Sequence, residues 1–233
     1  MDRAIIFDVD GTLSETEETH RRAFNLAFEG AGLPWHWSRD IYDKLLAVTG
    51  GKERIRYFID SFDPPAIPAG NLDEIIPALH AEKTKSYTDL VAGGDVPLRP
   101  GVAELISDAQ ARGFRLAIAT TTTPANVDAL LGATLGGTGI FEVICAGDSV
   151  PNKKPAPDVY QLALDKLGLP PEACVALEDS RNGVLSAVAA GIATVVTPGI
   201  YTANHDFSEA ALVINDLAAC DFEEIYELTS PAG

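Results

Sequence analysis

Basic residues are scarce. Of 233 residues only 17 are Lys or Arg against 34 Asp or Glu, a formal net charge of −17. Phosphate attraction dominates binding to nucleic acids and to anionic membranes, so this balance repels both partners, and an anionic ligand would need a locally basic pocket. Cysteine is rarer still. Cys145, Cys174 and Cys220 stand far apart in apolar stretches. Their spacing and odd number exclude a disulfide framework and a zinc site, and predict buried thiols. No apolar run reaches the roughly 18 residues of a membrane-spanning helix. The first strand-like run also begins too close to Met1 for a secretory leader, so a cytoplasmic protein is expected. At 46% hydrophobic and 22% charged the chain is not disordered, and its length allows one large domain or a main domain with a smaller one.

What is present begins with "AIIFDVDGT", residues 4–12. Ala4 to Phe7 read as a short strand buried on both faces, as in a parallel sheet. Asp8 and Asp10 then fall where the strand ends. Successive strand residues alternate faces, but Gly11 lets the chain turn so that Asp10 folds back beside Asp8. Two carboxylates so close need a cation between them, or one must keep its proton. The plainer alternative is a turn at Asp10-Gly11 with Asp8 as a cap.

Helical spacing follows from Thr16 to about Ala31, then at Arg39–Val48, Lys52–Phe62 and Leu72–Leu90, with "DPPAIPAGN" as a loop before the last. No strand interrupts this stretch, which reads as an all-helical insertion over residues 14–96. After "RPG" at residues 99–101, helices at Val102–Arg112, Ala125–Leu131, Pro157–Leu167 and Arg181–Ala190 alternate with strands "FRLAIAT", "FEVICAG", "CVALED" and "ATVVTP". A last "ALVI" precedes an acidic tail. This alternation predicts an α/β, doubly wound, Rossmann-like parallel sheet formed by residues 1–13 and 97–233, carrying the helical cap.

Open parallel sheets bind ligands at the carboxyl ends of their strands. Those ends hold Asp8 and Asp10, Thr120 with Thr121 and Thr122, Asp148 followed by Lys153 and Lys154, and Glu178 with Asp179. The carboxylates offer hard oxygen ligands suited to Mg²⁺. Thr120 and the next backbone N–H groups suit a phosphoryl oxygen, and Lys154 would neutralise charge on Asp8 and on that group. Asp8 can then act as nucleophile, forming an aspartyl-phosphate, with Asp10 as general acid and base. Singly, each feature has an ordinary reading: a threonine-rich loop, a solvated lysine pair, an N-cap at Glu178-Asp179-Ser180.

"DVDGT", the threonine after "LAIA", "KKPAPD" and "ALEDSRNG" resemble the four ordered motifs of the haloacid dehalogenase-like hydrolases with a helical cap. The resemblance spans nearly the whole chain. It implies Asp8 as nucleophile, Asp10 as acid/base, Thr120 as phosphate-binding hydroxyl and Lys154, which directly precedes "PAPD", as the neutralising lysine. Asp8, Asp10, Glu178 and Asp179 would form the Mg²⁺ side, and Thr121, Thr122 and Asn182 would face the substrate. The second acid, Asp10, argues against dehalogenation. A monomer acting on a small anionic sugar phosphate is expected.

Specificity should come from the cap, since the core groups hold only a phosphoryl group and a metal. In "TGGKER", Gly50 and Gly51 can present N–H groups to an anion, with Lys52 and Arg54 beside them. His80 and Lys83 share a helical face. These would be the local cations that an acidic protein needs, unless they are solvated surface charges. "DVDGTLSETEETHRRAF", "TGGKERI" and "GDSVPNKKPAPDVY" further resemble phosphatases that remove the Rubisco inhibitor xylulose 1,5-bisphosphate, giving xylulose 5-phosphate. By that resemblance Glu17 and His20 contact sugar hydroxyls, and Lys52, Arg54, His80 and Lys83 the distal end. The rival expectations are a β-phosphoglucomutase-type mutase, with a histidine at the place of His20, and a non-catalytic phosphosugar binder.

Overall fold

The computed structural model describes residues 2–94 and 96–230. Strand β1 (Ala4–Phe7) is buried at every position. It lies between β2 (Arg115–Ala119) and β4 (Cys174–Glu178), parallel to both, with Ala4 opposite Arg115 on one side and Cys174 on the other. With β3 (Val143–Cys145), β5 (Ala193–Val196) and β6 (Leu212–Val213), the described residues form a six-stranded sheet in the order β3-β2-β1-β4-β5-β6.

Alternation along the strands sorts the side chains into two cores. Ile5, Phe7, Leu116, Ile118, Val175 and Leu177 join residues of α5 (Val102–Ala111), α6 (Pro124–Leu135) and α9 (Phe222–Tyr226). Ala4, Ile6, Ala117, Ala119, Cys174 and Ala176 face α7 (Asp158–Leu167) and α8 (Arg181–Ala189). The doubly wound sheet is therefore covered on both faces, as continuous apolar strands require.

Among the described residues, four helices stand between β1 and α5: α1 (Glu17–Gly30), α2 (Arg39–Leu45), α3 (Gly51–Phe62) and α4 (Leu72–Ala92). Ser38 and Asn71 cap α2 and α4 by accepting backbone N–H bonds from Ile41 and Asp73. Phe24, Phe28, Trp35, Trp37, Tyr42, Leu45, Ile55, Phe58, Ile59, Ile76 and Leu79 give these helices a hydrophobic cluster of their own. The chain enters and leaves them at one place. Ser14 and Leu98 form an antiparallel bridge there, and the Arg99 N–H donates to the Leu13 carbonyl at 2.8 Å.

Three expectations are corrected. The acidic tail contains α9, because Ile225 and Tyr226 are buried on the sheet and Asp221 caps the helix by accepting the Glu223 N–H. Helix α6 continues past Leu131 to Leu135 despite Gly132. Cys145 and Cys174 are buried, but Cys220 is only half-buried, at the edge of the last turns. Among the described residues no helix is long and apolar enough to cross a membrane.

Candidate active site

Chain connections leaving β1 and β4 run to opposite sides of the sheet, so a crevice opens between the carboxyl ends of these neighbours. Asp8 stands in it, its N–H bonded to the Leu177 carbonyl at 2.9 Å. Lys154 arrives from the loop before α7. Its Nζ donates to Asp8 Oδ1 at 2.7 Å, to Glu178 Oε1 at 2.6 Å and to the Ala119 carbonyl at 2.9 Å. An ammonium has three donors, so this one is fully used. Tyr160 on α7 donates to the same Glu178 oxygen at 2.6 Å. Lys153 turns away to Asp148, 2.7 Å from its Oδ1.

Burial pushes the Asp8 carboxyl up to about 7, against the pull of Lys154 and with Glu178 and Asp10 adding to the rise. Burial works against the charge on Lys154, but Asp8 and Glu178 outweigh it and raise its pKa. Asp179 is held well above the usual carboxylate range by burial and then by Asp8 and Glu178. Oxygens of Asp8, Glu178 and Asp179 lie within 4.8 Å of one another. Three buried carboxylates against one ammonium leave negative charge uncompensated, and their hard oxygen donors fit a divalent cation such as Mg²⁺. Gly11 makes the crowding possible. Its φ is +82°, and a Cβ there would fall 2.2 Å from Asp179 Oδ2, so only glycine can pass.

The Asp10 carboxylate is not in that trio. It accepts the Thr16 hydroxyl at 2.6 Å and lies 2.9 Å from His20 Nε2, a close contact off the line of a good hydrogen bond. His20 Nδ1 is 2.6 Å from Lys83 Nζ. An ammonium there makes Nδ1 the acceptor and leaves Nε2 to carry the proton that faces Asp10. Burial favours a neutral Asp10, but His20, Thr16 and Lys83 outweigh it and hold the carboxyl well below its usual range. Burial lowers Lys83 to about 8, with Asp10 and Glu17 opposing and Arg54 adding.

A cavity of about 340 Å³ is lined by members of both clusters. Asp8, Asp10, Thr120, Thr121, Thr122, Lys154, Asp179 and Asn182 line it from the core side; Glu17, His20, Gly50, Gly51, Arg54, His80 and Lys83 line it from the cap. Arg54 Nη1 donates to the Tyr42 hydroxyl at 2.9 Å, which donates to Glu17 at 2.6 Å, so the ceiling is itself tied together. Asn182 Nδ2 reaches Thr49 Oγ1 at 3.1 Å and the Ala47 carbonyl at 3.4 Å, joining the start of α8 to the cap.

Two expected substrate ligands differ from their sequence reading. Lys52 does not line the cavity; its Nζ pairs with Asp148 Oδ2 at 2.6 Å across the cap–core seam. Glu178 keeps its place among the metal-side acids, fully buried behind Lys154. His80 is no cation at neutral pH, since burial, Lys83 and Lys52 push it down to about 3. A Cβ on Gly51 would lie 2.4 Å from its Nε2.

Sequence reasoning passed over Thr202. Its hydroxyl accepts the Gly199 N–H at 2.7 Å and lies 3.3 Å from Asp179 Oδ2. The signal was available, because Thr197-Pro198-Gly199 marks a turn at the carboxyl end of β5. Asn126, which donates to the Thr122 hydroxyl at 2.9 Å, was passed over too.

A family model for haloacid dehalogenase-like hydrolases matches residues 3–191. Protein CbbY of Rhodobacter capsulatus is 55% identical over 228 residues, which are 97% of this chain and 98% of that protein. The crystal structure of a CbbY variant from Rhodobacter sphaeroides in complex with xylulose 1,5-bisphosphate is 48% identical with a TM-score of 0.89, covering 94% of this chain and 96% of that one. A β-phosphoglucomutase from Clostridium difficile has a TM-score of 0.81 at 20% identity, over 98% of this chain and 97% of that one, a likeness of fold alone.

Proposed function

The chain belongs to the haloacid dehalogenase-like hydrolases and is a phosphatase, and we propose that it removes one phosphoryl group from xylulose 1,5-bisphosphate to leave xylulose 5-phosphate. The observation that carries this reading is the two-sided cavity. Its floor holds Asp8 beside Lys154, and its roof holds the cations Lys83 and Arg54, which an otherwise very acidic chain places over the same space. A monophosphate would use only the floor. A bisphosphate spans both.

In this mechanism an Asp8 carboxylate oxygen attacks phosphorus, and the bond from phosphorus to the sugar oxygen breaks. Asp10 gives its proton to that leaving oxygen. A water then attacks the phosphorus of the aspartyl-phosphate, passes its proton to Asp10 and releases inorganic phosphate, restoring Asp8. Asp10 starts as a carboxylate; a phosphoryl dianion arriving beside it raises its pKa, so proton uptake accompanies binding. His20 and Thr16 fix the direction of its carboxylate. Thr120 and the N–H groups that follow it suit the non-bridging phosphoryl oxygens, and Lys154 offsets the charge shared between Asp8 and the phosphoryl group. Asp8, Glu178 and Asp179 would hold Mg²⁺, which when bound supplies positive charge against the phosphoryl oxygens.

A phosphate-release panel tests the reading, using xylulose 1,5-bisphosphate, xylulose 5-phosphate and β-glucose 1-phosphate, each with and without Mg²⁺. Release from the bisphosphate that needs Mg²⁺ and far exceeds release from the monophosphates is expected. Conversion of β-glucose 1-phosphate to glucose 6-phosphate without free phosphate would mean a mutase instead.

A further inference from the structure

Arg99 stands where the chain leaves the cap, and its guanidinium donates to three backbone carbonyls. Nη1 donates to the Gly11 carbonyl and, at 2.7 Å, to the Thr197 carbonyl; Nη2 donates to the Pro198 carbonyl at 2.8 Å. Nε lies 3.5 Å from Glu15 Oε1. One planar fork therefore joins three separate pieces of chain: the outgoing linker, the turn after Asp10 and the loop after β5. The carbonyl oxygens it gathers would face one another without a donor if it were removed.

Both loops in its grip lead to Asp179. Gly11 follows Asp10 directly and is pressed against the Asp179 carboxylate. The loop after β5 continues from Pro198 to Gly199 and Thr202, whose hydroxyl lies 3.3 Å from Asp179 Oδ2. Glu15, at the fourth corner, also receives the Ile200 N–H at 3.4 Å. We propose that Arg99 is a positioning residue for the reaction: it sets the separation of the Asp10 turn and the Thr202 loop around Asp179 and ties that separation to the linker by which the chain leaves the cap. Arginine suits this task because a rigid fork can hold several carbonyls at once, whereas a lysine ammonium is a single point on a flexible stem. The inference rests on reading the crevice as a phosphatase centre.

The test compares Arg99→Lys and Arg99→Ala with the unaltered protein on 4-nitrophenyl phosphate and on xylulose 1,5-bisphosphate, with thermal unfolding measured in parallel. Misplacement of catalytic groups by about 1 Å costs on the order of a hundredfold, so kcat should fall roughly ten- to hundred-fold on both substrates in both variants, with KM changed by no more than about threefold. Millimolar guanidinium should restore part of the turnover of Arg99→Ala, while methylammonium at equal ionic strength does not. If the alanine variant does not fold, the kcat and KM of the lysine variant decide alone. A lysine variant with near-normal kcat, or a loss confined to KM, overturns the proposal, as does a folded alanine variant that guanidinium fails to rescue. Failure of the unaltered protein to release phosphate from either substrate would overturn the phosphatase reading, and the inference with it.

Discussion

Glu178 rests directly on Gly183: a Cβ at residue 183 would lie 1.9 Å from Glu178 Oε2. The first turn of α8 thus forms the wall against which the carboxylate is pressed, while Lys154 and Tyr160 hold its other oxygen. Gly183→Ala must therefore move Glu178. Overpacking of this kind costs about 1–3 kcal/mol, read as a lower midpoint in denaturant unfolding, and the displaced acid should lower turnover as well. Unchanged stability and turnover would show that the wall yields freely.

Asp8→Asn should abolish turnover and leave the fold intact. The amide is a poor nucleophile, while Lys154 keeps Glu178 and the Ala119 carbonyl as partners. Phosphate release and thermal unfolding, measured side by side, check it. Turnover near that of the unaltered protein would rule out an aspartyl-phosphate on this residue.

Lys52 pairs with Asp148 outside the cavity, so its loss should affect all substrates alike. The pair is exposed enough that it is worth no more than about 1 kcal/mol, and Lys52→Ala should lower kcat/KM by less than about fivefold. In a double-mutant cycle the losses from Lys52→Ala and Asp148→Ala should not add. A larger loss, confined to the bisphosphate, would instead restore Lys52 as a substrate ligand.

Lys83 should give the reaction an alkaline limb. Burial holds its pKa near 8, below the ordinary lysine value, so its charge is present at neutral pH and lost as pH rises through about 8. In stability terms the sign is the reverse of an ion pair: folding bears the cost of the buried charge below about 8, and that cost fades as pH climbs toward the ordinary value of 10.5. The kcat/KM for the bisphosphate should fall across that window. Lys83→Arg, which keeps its charge, should flatten the limb even if its maximum is lower. A limb that persists in the arginine variant belongs to another group.

The sheet was legible because strands buried on both faces are written as short apolar runs, and their ends are marked by the polar residues that follow: Asp8 after "AIIF", Thr120 after "LAIA", Glu178 and Asp179 after "CVAL". The fold class follows from that alternation alone. Side-chain destinations were harder to read. Lys52 and Lys83 look alike in sequence, yet one lies over the crevice and the other on Asp148, because helix packing rather than residue type decides which way each points. Lys153 and Lys154 are neighbours whose destinations diverge for the same reason. Thr202 and Arg99 reach Asp179 and the Gly11 carbonyl through loops whose course no local pattern specifies. Helix α9 was hidden by its charge: Phe222, Ile225 and Tyr226 have helical spacing, but the surrounding acids read as a solvated tail.

The place of β1 in the sheet also bears on how the protein is made. This strand precedes both of its partners, Arg115–Ala119 and Cys174–Glu178, by long stretches of chain, so one of its edges stays unpaired until β2 has been made and the other until β4 has. Most of the cap cluster, by contrast, comes from a contiguous stretch between Phe24 and Leu79. Contacts that close short loops form before those that close long ones. The cap can thus be packed while the reactive edge of the protein does not yet exist, and the carboxylates of Asp8 and Asp179 meet only as the final third of the chain emerges.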